Sequence, residues 1–191
     1  MTKGRLEAFS DGVVAILITI MVLELKVPHG ESLAALRPMV PVFLAYVLSY
    51  VFLGIYWNNH HHLLHAAGRI DGRVLWANLH LLFWLSLVPV VTGWLGDHPR
   101  ASLPAAVYGG VMLLAGVAYF ILEKALIAAQ GPDSRLRAAV GREVKGLVSV
   151  ACYALAIPLA YVHPWISITL YVLVAAAWLI PDRRIERTQP R

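Results

Sequence analysis

Residues 5–25 read RLEAFSDGVVAILITIMVLEL, an apolar run whose start carries polar residues that a lipid-facing helix would avoid. Only 12 uncharged residues separate Asp11 from Glu24, whereas a helix that crosses the hydrocarbon core needs about 20 predominantly apolar ones. We therefore expect Ser10 and Asp11 to lie inside the protein or close to the membrane interface. An ionisable residue in such a segment usually faces a bundle interior, a partner or a water-filled path.

The rest of the chain is built from similar apolar runs. Of its 191 residues, 59% are hydrophobic and only 14% are charged, which is typical of an integral membrane protein. We predict an all-α protein with one domain, residues 1–191, and six transmembrane helices. Their predicted bounds are about 6–26, 39–65, 74–95, 103–128, 140–162 and 165–181. Pro89 is expected to kink the third helix. The mixed-charge segment before the first helix argues against a cleavable signal peptide.

The basic residues are distributed unevenly about these predicted spans. If the N-terminus is cytoplasmic, 13 of the 16 Lys and Arg residues fall on the cytoplasmic side, and only Lys26, Arg37 and Arg100 fall outside. This asymmetry follows the positive-inside rule and predicts that both termini are cytoplasmic. The net charge of +5 is then explained by topology and by contact with anionic lipid headgroups, so we predict no nucleic-acid partner.

Four histidines near the end of the second predicted helix suggest a metal site. His61 and His65 are four positions apart, which places both on one helix face at a spacing suited to zinc or copper. A metal site needs three or four ligands with supporting hydrogen bonds. The sequence supplies no Cys, Asp or Glu close to this cluster, so we predict interfacial histidines, with one or two turned inward, and no metal.

No motif of enzyme chemistry is present. The sequence lacks GxSxG, HExxH, CxxC and a glycine-rich phosphate loop. Its membrane-proximal carboxylates are scattered along the chain rather than paired. We therefore expect no catalytic residues and no cofactor, and we predict that the protein is not an enzyme.

The first helix has two distinct faces. At about 100° per residue, Ile16, Thr19, Ile20 and Leu23 share one face, which we call the Ile16 stripe. Asp11 lies five residues before Ile16 and hence about 140° away around the helix. One face thus presents apolar side chains with a single hydroxyl, while another turns polar groups towards neighbouring helices. A lipid-facing helix would carry the same apolar stripe.

The pattern Arg-x-x-x-Phe-Ser-Asp at the start of the first helix resembles the signature of the lysosomal and bacterial potassium channels of the transmembrane protein 175 family. Here these residues are Arg5, Phe9, Ser10 and Asp11. The resemblance continues in Trp57 and His60 of the second helix, and in Asn78 and Pro89 of the third. Six helices and cytoplasmic termini agree with it as well.

The resemblance implies a channel whose pore is lined by the first helix. Bacterial members with one six-helix repeat assemble as homotetramers, which this length matches. By position, Ile16 would form the hydrophobic constriction, with Ile20 and Leu23 as further apolar layers and Thr19 as a polar ring. The pore helix would be held by a supporting set, namely Arg5, Phe9, Ser10, Asp11, Trp57, His60 and Asn78. The expected protein is a multi-pass protein of the bacterial inner membrane.

The permeant ion implied by the resemblance is K⁺. The chain has no TVGYG sequence, so a filter of backbone carbonyls is not available, and we expect modest preference for potassium among monovalent cations. Two alternatives remain open. One is a proton-coupled or proton-conducting transporter that uses Asp11 and His60, and the other is a non-conducting membrane scaffold.

Overall fold

The structure is a computed structural model that describes residues 2–131 and 144–179. Within these ranges every regular element is a helix, which confirms the all-α prediction. The predicted start of the fifth span, at residue 140, and the predicted end of the sixth, at residue 181, lie outside the described residues. The α-helices are α1 (Lys3–Leu23), α2 (Val40–Ala66), α3 (Gly72–Ser86), α4 (Val88–Asp97), α5 (Ser102–Gln130), α6 (Val144–Val162) and α7 (Pro164–Leu179).

Five helical segments in the described residues are long and apolar enough to cross a membrane. The second of them combines α2 with a preceding 3-10 helix, Leu33–Met39, and the third combines α3 with α4. The last helix, α7, is apolar but has only 16 residues. The succession of apolar helices agrees with the sequence, and α1 starts earlier and ends earlier than the predicted 6–26.

The third predicted span is two helices rather than one. Helix α3 begins at Gly72, where the Asp71 carboxylate accepts a hydrogen bond from the backbone N–H of Val74 at 2.9 Å. It ends at Ser86, and α4 starts one residue later at Val88. Pro89 lies in the first turn of α4, where its missing N–H removes no helical hydrogen bond. The interruption therefore falls at Leu87, two residues before the proline.

Helix α5 lies in the middle of the bundle and packs against α3, α4, α6 and α7. Small residues on α5 allow this close packing. A Cβ atom at Gly109 would collide with the Tyr171 hydroxyl, which donates a hydrogen bond to the backbone carbonyl of Ala105 at 2.9 Å. Close contact of this kind, rather than hydrophobic burial from water, drives helix association in lipid.

Helix α1 packs against α2, α3 and α4. It buries one face, formed by Leu6, Ser10, Val14, Leu17 and Met21. These positions recur every three or four residues, as expected for one side of an α-helix. On the other side of α1, Ile16, Ile20 and Leu23 are exposed on the surface of the subunit.

Candidate functional site

A buried row of three polar side chains joins α1, α3 and α2. The Nε2 atom of His60 lies 2.7 Å from Oδ1 of Asn78, and Nδ2 of Asn78 donates to Oγ of Ser10 at 3.0 Å. The Ser10 hydroxyl in turn donates to the backbone carbonyl of Leu6 at 2.9 Å. Asn78 is 0% exposed and Ser10 1%, so neither has access to water as an alternative partner.

The donors and acceptors of this row can be assigned in only one consistent way. The carbonyl of Leu6 only accepts, so the Ser10 hydroxyl hydrogen is used there and its oxygen accepts from the Asn78 amide. The Asn78 carbonyl oxygen then faces His60, whose Nε2 must donate the proton. Because each group meets its one available complementary partner, the row fixes the rotation of α1 against α2 and α3. We call it the Ser10–Asn78–His60 row.

A second contact lies one residue further along α1 and is less buried. The indole N–H of Trp57 donates to a carboxylate oxygen of Asp11 at 2.9 Å. At the start of the helix, the Lys3 ammonium donates to the backbone carbonyl of His65 at 2.8 Å, near the carboxyl end of α2. A cation is favourable at that end of a helix. Two direct polar contacts, together with the row that runs through Asn78 of α3, thus connect α1 to the second half of α2.

Two members of the predicted supporting set are not brought into these contacts. Arg5 is exposed, and the described part of the subunit provides it with no ion-pair partner. Phe9 is also exposed. Both precede the Ser10–Asn78–His60 row on α1 but point away from it. The structure brings together Ser10, Asn78 and His60, and separately Asp11 and Trp57.

The Ile16 stripe lies on the uncovered side of α1. Ile16 is 57% exposed, Ile20 41% and Leu23 81%, and Thr19 is exposed as well. The Thr19 hydroxyl donates to the backbone carbonyl of Ile16 at 2.8 Å. The stripe is therefore available to lipid, to water or to another copy of the chain.

The remaining histidines of the cluster form a stack along α2. The rings of Trp57 and His61 lie 6.1 Å apart between centroids, and those of His61 and His65 also 6.1 Å apart, both nearly parallel. His62 packs edge-on against His61. Within the described residues, no three His, Cys, Asp or Glu side chains come together in a way that could hold a metal ion. His60 is not part of this stack and bonds within the Ser10–Asn78–His60 row.

Sequence reasoning missed a second buried polar cluster on the opposite half of the bundle. The hydroxyl oxygens of Thr92 and Ser49 lie 2.6 Å apart, and those of Ser49 and Tyr108 2.9 Å apart. These residues belong to α4, α2 and α5. The two bonded pairs are 43 and 59 positions apart in sequence. No short motif connects them, so only the fold reveals the cluster.

A polytopic α-helical membrane protein is thus defined, with a first helix fixed by buried polar contacts and an exposed apolar stripe on its other side. The family model described as the endosomal/lysosomal potassium channel TMEM175 matches residues 5–89, which include the whole row and the stripe. A protein of Chryseobacterium sp. (strain P1-3), named a potassium channel, is 53% identical over 98% of both chains. The chain belongs to the TMEM175 family of channels.

Two further relatives extend the comparison. The crystal structure of a lysosomal potassium-selective channel TMEM175 homolog from Chamaesiphon minutus superposes with a TM-score of 0.75 at 30% identity, covering 95% of this chain and 97% of that one. The Homo sapiens protein named endosomal/lysosomal proton channel TMEM175 is 36% identical over 118 residues, which cover 54% of this chain and 23% of its own length. The family is one of channels, so the protein is not an enzyme.

Proposed function

We propose that this chain is one subunit of a homotetrameric, potassium-permeable cation channel in the bacterial inner membrane, with a pore formed by the α1 helices of four subunits. The bacterial relatives, named or titled as potassium channels, align with nearly the whole chain. Their similarity supports the choice of ion. The protein acts without a cofactor, and its partners are three further copies, the lipid bilayer and monovalent cations.

The observation that carries this proposal is the division of α1 into two faces. One face is fixed to the subunit by the Ser10–Asn78–His60 row and by apolar burial. The other presents Ile16, Ile20 and Leu23, each more than 40% exposed. A helix that only anchors the protein in lipid has no need of a buried hydrogen-bonded row that sets its rotation. A helix that lines a pore does, because a rotation of one residue, about 100°, would replace every lining side chain.

Ile16 is assigned to the constriction. A ring of four isoleucine side chains forms a narrow apolar bore that cannot replace the hydration shell of an ion, so it closes by dewetting. Thr19 supplies the polar ring. Its hydroxyl hydrogen is engaged by the Ile16 carbonyl, which leaves oxygen lone pairs as the groups that a cation would meet. Four such oxygens offer weaker discrimination than a filter of backbone carbonyls, so the preference for potassium over sodium is modest.

The polar residues have a structural role in this proposal. Ser10, Asn78 and His60 set the rotation of α1, and the contact between Trp57 and Asp11 stabilises its cytoplasmic end. Arg5 and Phe9 complete the supporting set through contacts outside their own subunit, with a neighbouring copy or with lipid headgroups. Both are exposed on the isolated chain.

Proton conduction is the second candidate function. It is favoured by the name of the human relative, a proton channel. In its simplest form it uses Asp11 and His60 as a relay. Among the described residues, however, Asp11 accepts from Trp57 and His60 bonds to Asn78, so the two are not direct partners. If the relay exists, Asp11→Asn should abolish proton movement in a protein that still folds. The potassium pore predicts that the same variant keeps its potassium flux, because Asn can still accept a hydrogen bond from Trp57.

The experiment that tests the proposed function is flux through purified protein in liposomes. A reversal potential measured in opposed potassium and sodium gradients is expected to shift towards the potassium equilibrium value, and the absence of any current would favour the non-conducting scaffold. Ile16→Asn is expected to raise potassium flux, because an amide keeps the constriction wet, and Ile16→Ala is expected to raise it by widening the bore. Val22→Asn, on another exposed face of α1, is the control. Unchanged flux in both Ile16 variants would show that the constriction is assigned to the wrong residue.

A further inference from the structure

A cavity of about 190 Å³ lies between α2, α5, α6 and α7 and opens on the outside of the bundle. Phe52 and Tyr56 of α2, Val117 and Phe120 of α5, and Tyr153 and Trp178 of α6 and α7 are among its walls. On α2 and α5 it occupies the second half of each helix, and on α6 the first half, so all its walls lie in the same half of the bundle.

The cavity faces away from α1. On α2, the cavity residues Tyr56 and Asn59 each precede by one position the residues Trp57 and His60 that face α1 and α3. One position is about 100° around the helix. Assembly of subunits around α1 therefore leaves this side open to the surroundings of the protein, which for membrane-spanning helices is the bilayer.

The walls of the cavity are mostly apolar, and several of its polar side chains bond within the protein. The Asn59 amide donates to the backbone carbonyl of Ile55 at 2.9 Å, and the Trp178 indole donates to Ser149 at 2.8 Å. Ser149 itself donates to the backbone carbonyl of Lys145 at 2.8 Å. A water molecule needs two to four polar partners to occupy a cavity stably. These bonds direct the side-chain donors towards protein acceptors, so hydrocarbon suits the space better.

A cationic group lies beside the cavity, beyond its Phe120 wall. The Lys124 ammonium is 4.8 Å from the centroid of the Phe120 ring, and Phe120 lines the cavity. The ammonium forms an ion pair with the buried Glu123 carboxylate, with 3.6 Å between Nζ and Oε1. The Lys124 side chain is 59% exposed. Although one side of the ammonium faces Glu123, its exposed side is accessible to an acceptor near the surface, such as a phosphate diester.

We propose that this cavity is a phospholipid-binding site, which takes one acyl chain between α2, α5, α6 and α7 and the phosphate of the same lipid at Lys124. The cavity supplies the apolar surface for the chain, and Lys124 supplies the charge for the headgroup. Basic side chains at the ends of membrane helices are a recurring means of holding lipid phosphates. The exposure of this site to lipid rests on the proposed assembly around α1, but the site itself does not depend on ion conduction.

The test is lipid binding to the purified protein in detergent, measured by native mass spectrometry with dioleoyl phosphatidylglycerol and with dioleoylglycerol, which has the same chains but no phosphate. We expect one phosphatidylglycerol per subunit, bound about fivefold more tightly than dioleoylglycerol, as about 1 kcal/mol per basic side chain implies. Inorganic phosphate at millimolar concentration should not displace it. Displacement by inorganic phosphate would instead identify an anion site without a chain pocket.

Two variants separate the chain from the headgroup. Val117→Phe fills the cavity and should weaken the binding of both lipids. Val172 is exposed on α7 outside the cavity, so Val172→Phe should weaken the binding of neither. Lys124→Gln should lower phosphatidylglycerol binding to the level of dioleoylglycerol and leave dioleoylglycerol unchanged. Lys26→Gln, an exposed lysine outside the cavity, is its control. Equal binding to the two valine variants, or equal affinity of the wild-type protein for both lipids, would overturn the proposal.

A second measurement, which leaves Val117 in place, guards against misfolding of Val117→Phe. Phosphatidylglycerol with brominated chains should quench tryptophan fluorescence, and the quenching should fall in Trp178→Phe by more than in Trp165→Phe. Trp165 is exposed on the same helix but does not line the cavity. Equal loss of quenching in the two variants would place the bound chain elsewhere.

Discussion

Asn78→Ala is the substitution that most directly weakens the attachment of α1 to its subunit. The asparagine makes two buried hydrogen bonds, to His60 at 2.7 Å and to Ser10 at 3.0 Å, and is 0% exposed. Alanine removes both and leaves the His60 N–H without an acceptor in a site closed to water. The Ser10 hydroxyl keeps its bond to the Leu6 carbonyl, so most of the cost falls on His60.

The magnitude follows from these contacts. Hydrogen bonds between membrane helices contribute about 0.6 kcal/mol each on average, and an unsatisfied buried donor costs about 1–3 kcal/mol. We therefore expect Asn78→Ala to lower the free energy of unfolding by about 2 kcal/mol. For a chain of this length that corresponds to a decrease in Tm of about 4–8 °C.

The assay is thermal unfolding in detergent, followed by size-exclusion chromatography of the heated protein. The matched control is Asn59→Ala, because the Asn59 amide donates to the Ile55 carbonyl of its own helix and joins no two helices. Hydrogen exchange should show faster exchange of the α1 amides in Asn78→Ala and not in Asn59→Ala. If the two variants unfold at the same temperature, the Ser10–Asn78–His60 row does not fix α1 as described.

Other contacts give further predictions. Gly109→Ala should destabilise the protein by about 1–3 kcal/mol, because the added Cβ collides with the Tyr171 hydroxyl. In the same melting assay Gly110→Ala should be neutral or stabilising, because a Cβ added there meets no neighbouring atom within 4 Å. Thr92→Val should cost about 1–3 kcal/mol by breaking the buried hydroxyl cluster with Ser49, and Thr92→Ser should restore most of it. Trp57→Phe should cost less than about 1 kcal/mol, because its bond to Asp11 is at a half-exposed position; a loss as large as that of Asn78→Ala would contradict the lesser weight given to this contact.

The sequence predicted an all-α protein built from a succession of apolar helices, because hydropathy determines which segments of a chain can cross lipid. It also directed attention to Ser10, since a polar residue so close to a short apolar run must be buried or interfacial. The partners of Ser10 could not be derived from spacing. Asn78 lies 68 residues away, and only the resemblance to a known signature linked the two before the fold was known.

Other features required the three-dimensional arrangement. The interruption between α3 and α4 falls at Leu87 rather than at Pro89, because the proline occupies the first turn of the new helix, where it is tolerated. The cluster of Ser49, Thr92 and Tyr108 joins three helices that have no common motif. The Ile16 stripe is the reverse case. Periodicity places its residues on one face of α1, but the same apolar pattern is expected of a face in contact with lipid and of a face that lines a pore.

Whether the Ile16 stripe faces lipid or a water-filled pore is tested most directly by the reactivity of cysteines introduced along α1. The chain has one cysteine, Cys152, so Ile20→Cys and Val22→Cys can each be made in a Cys152→Ser background. The two positions are 41% and 45% exposed and lie about 160° apart around the helix. A charged methanethiosulfonate reagent, which reacts with thiolates in water, is expected to modify Ile20→Cys and to reduce potassium flux through it, while Val22→Cys keeps its flux. Flux that survives the reagent in Ile20→Cys, or that is lost only in Val22→Cys, would contradict a pore lined by the Ile16 stripe.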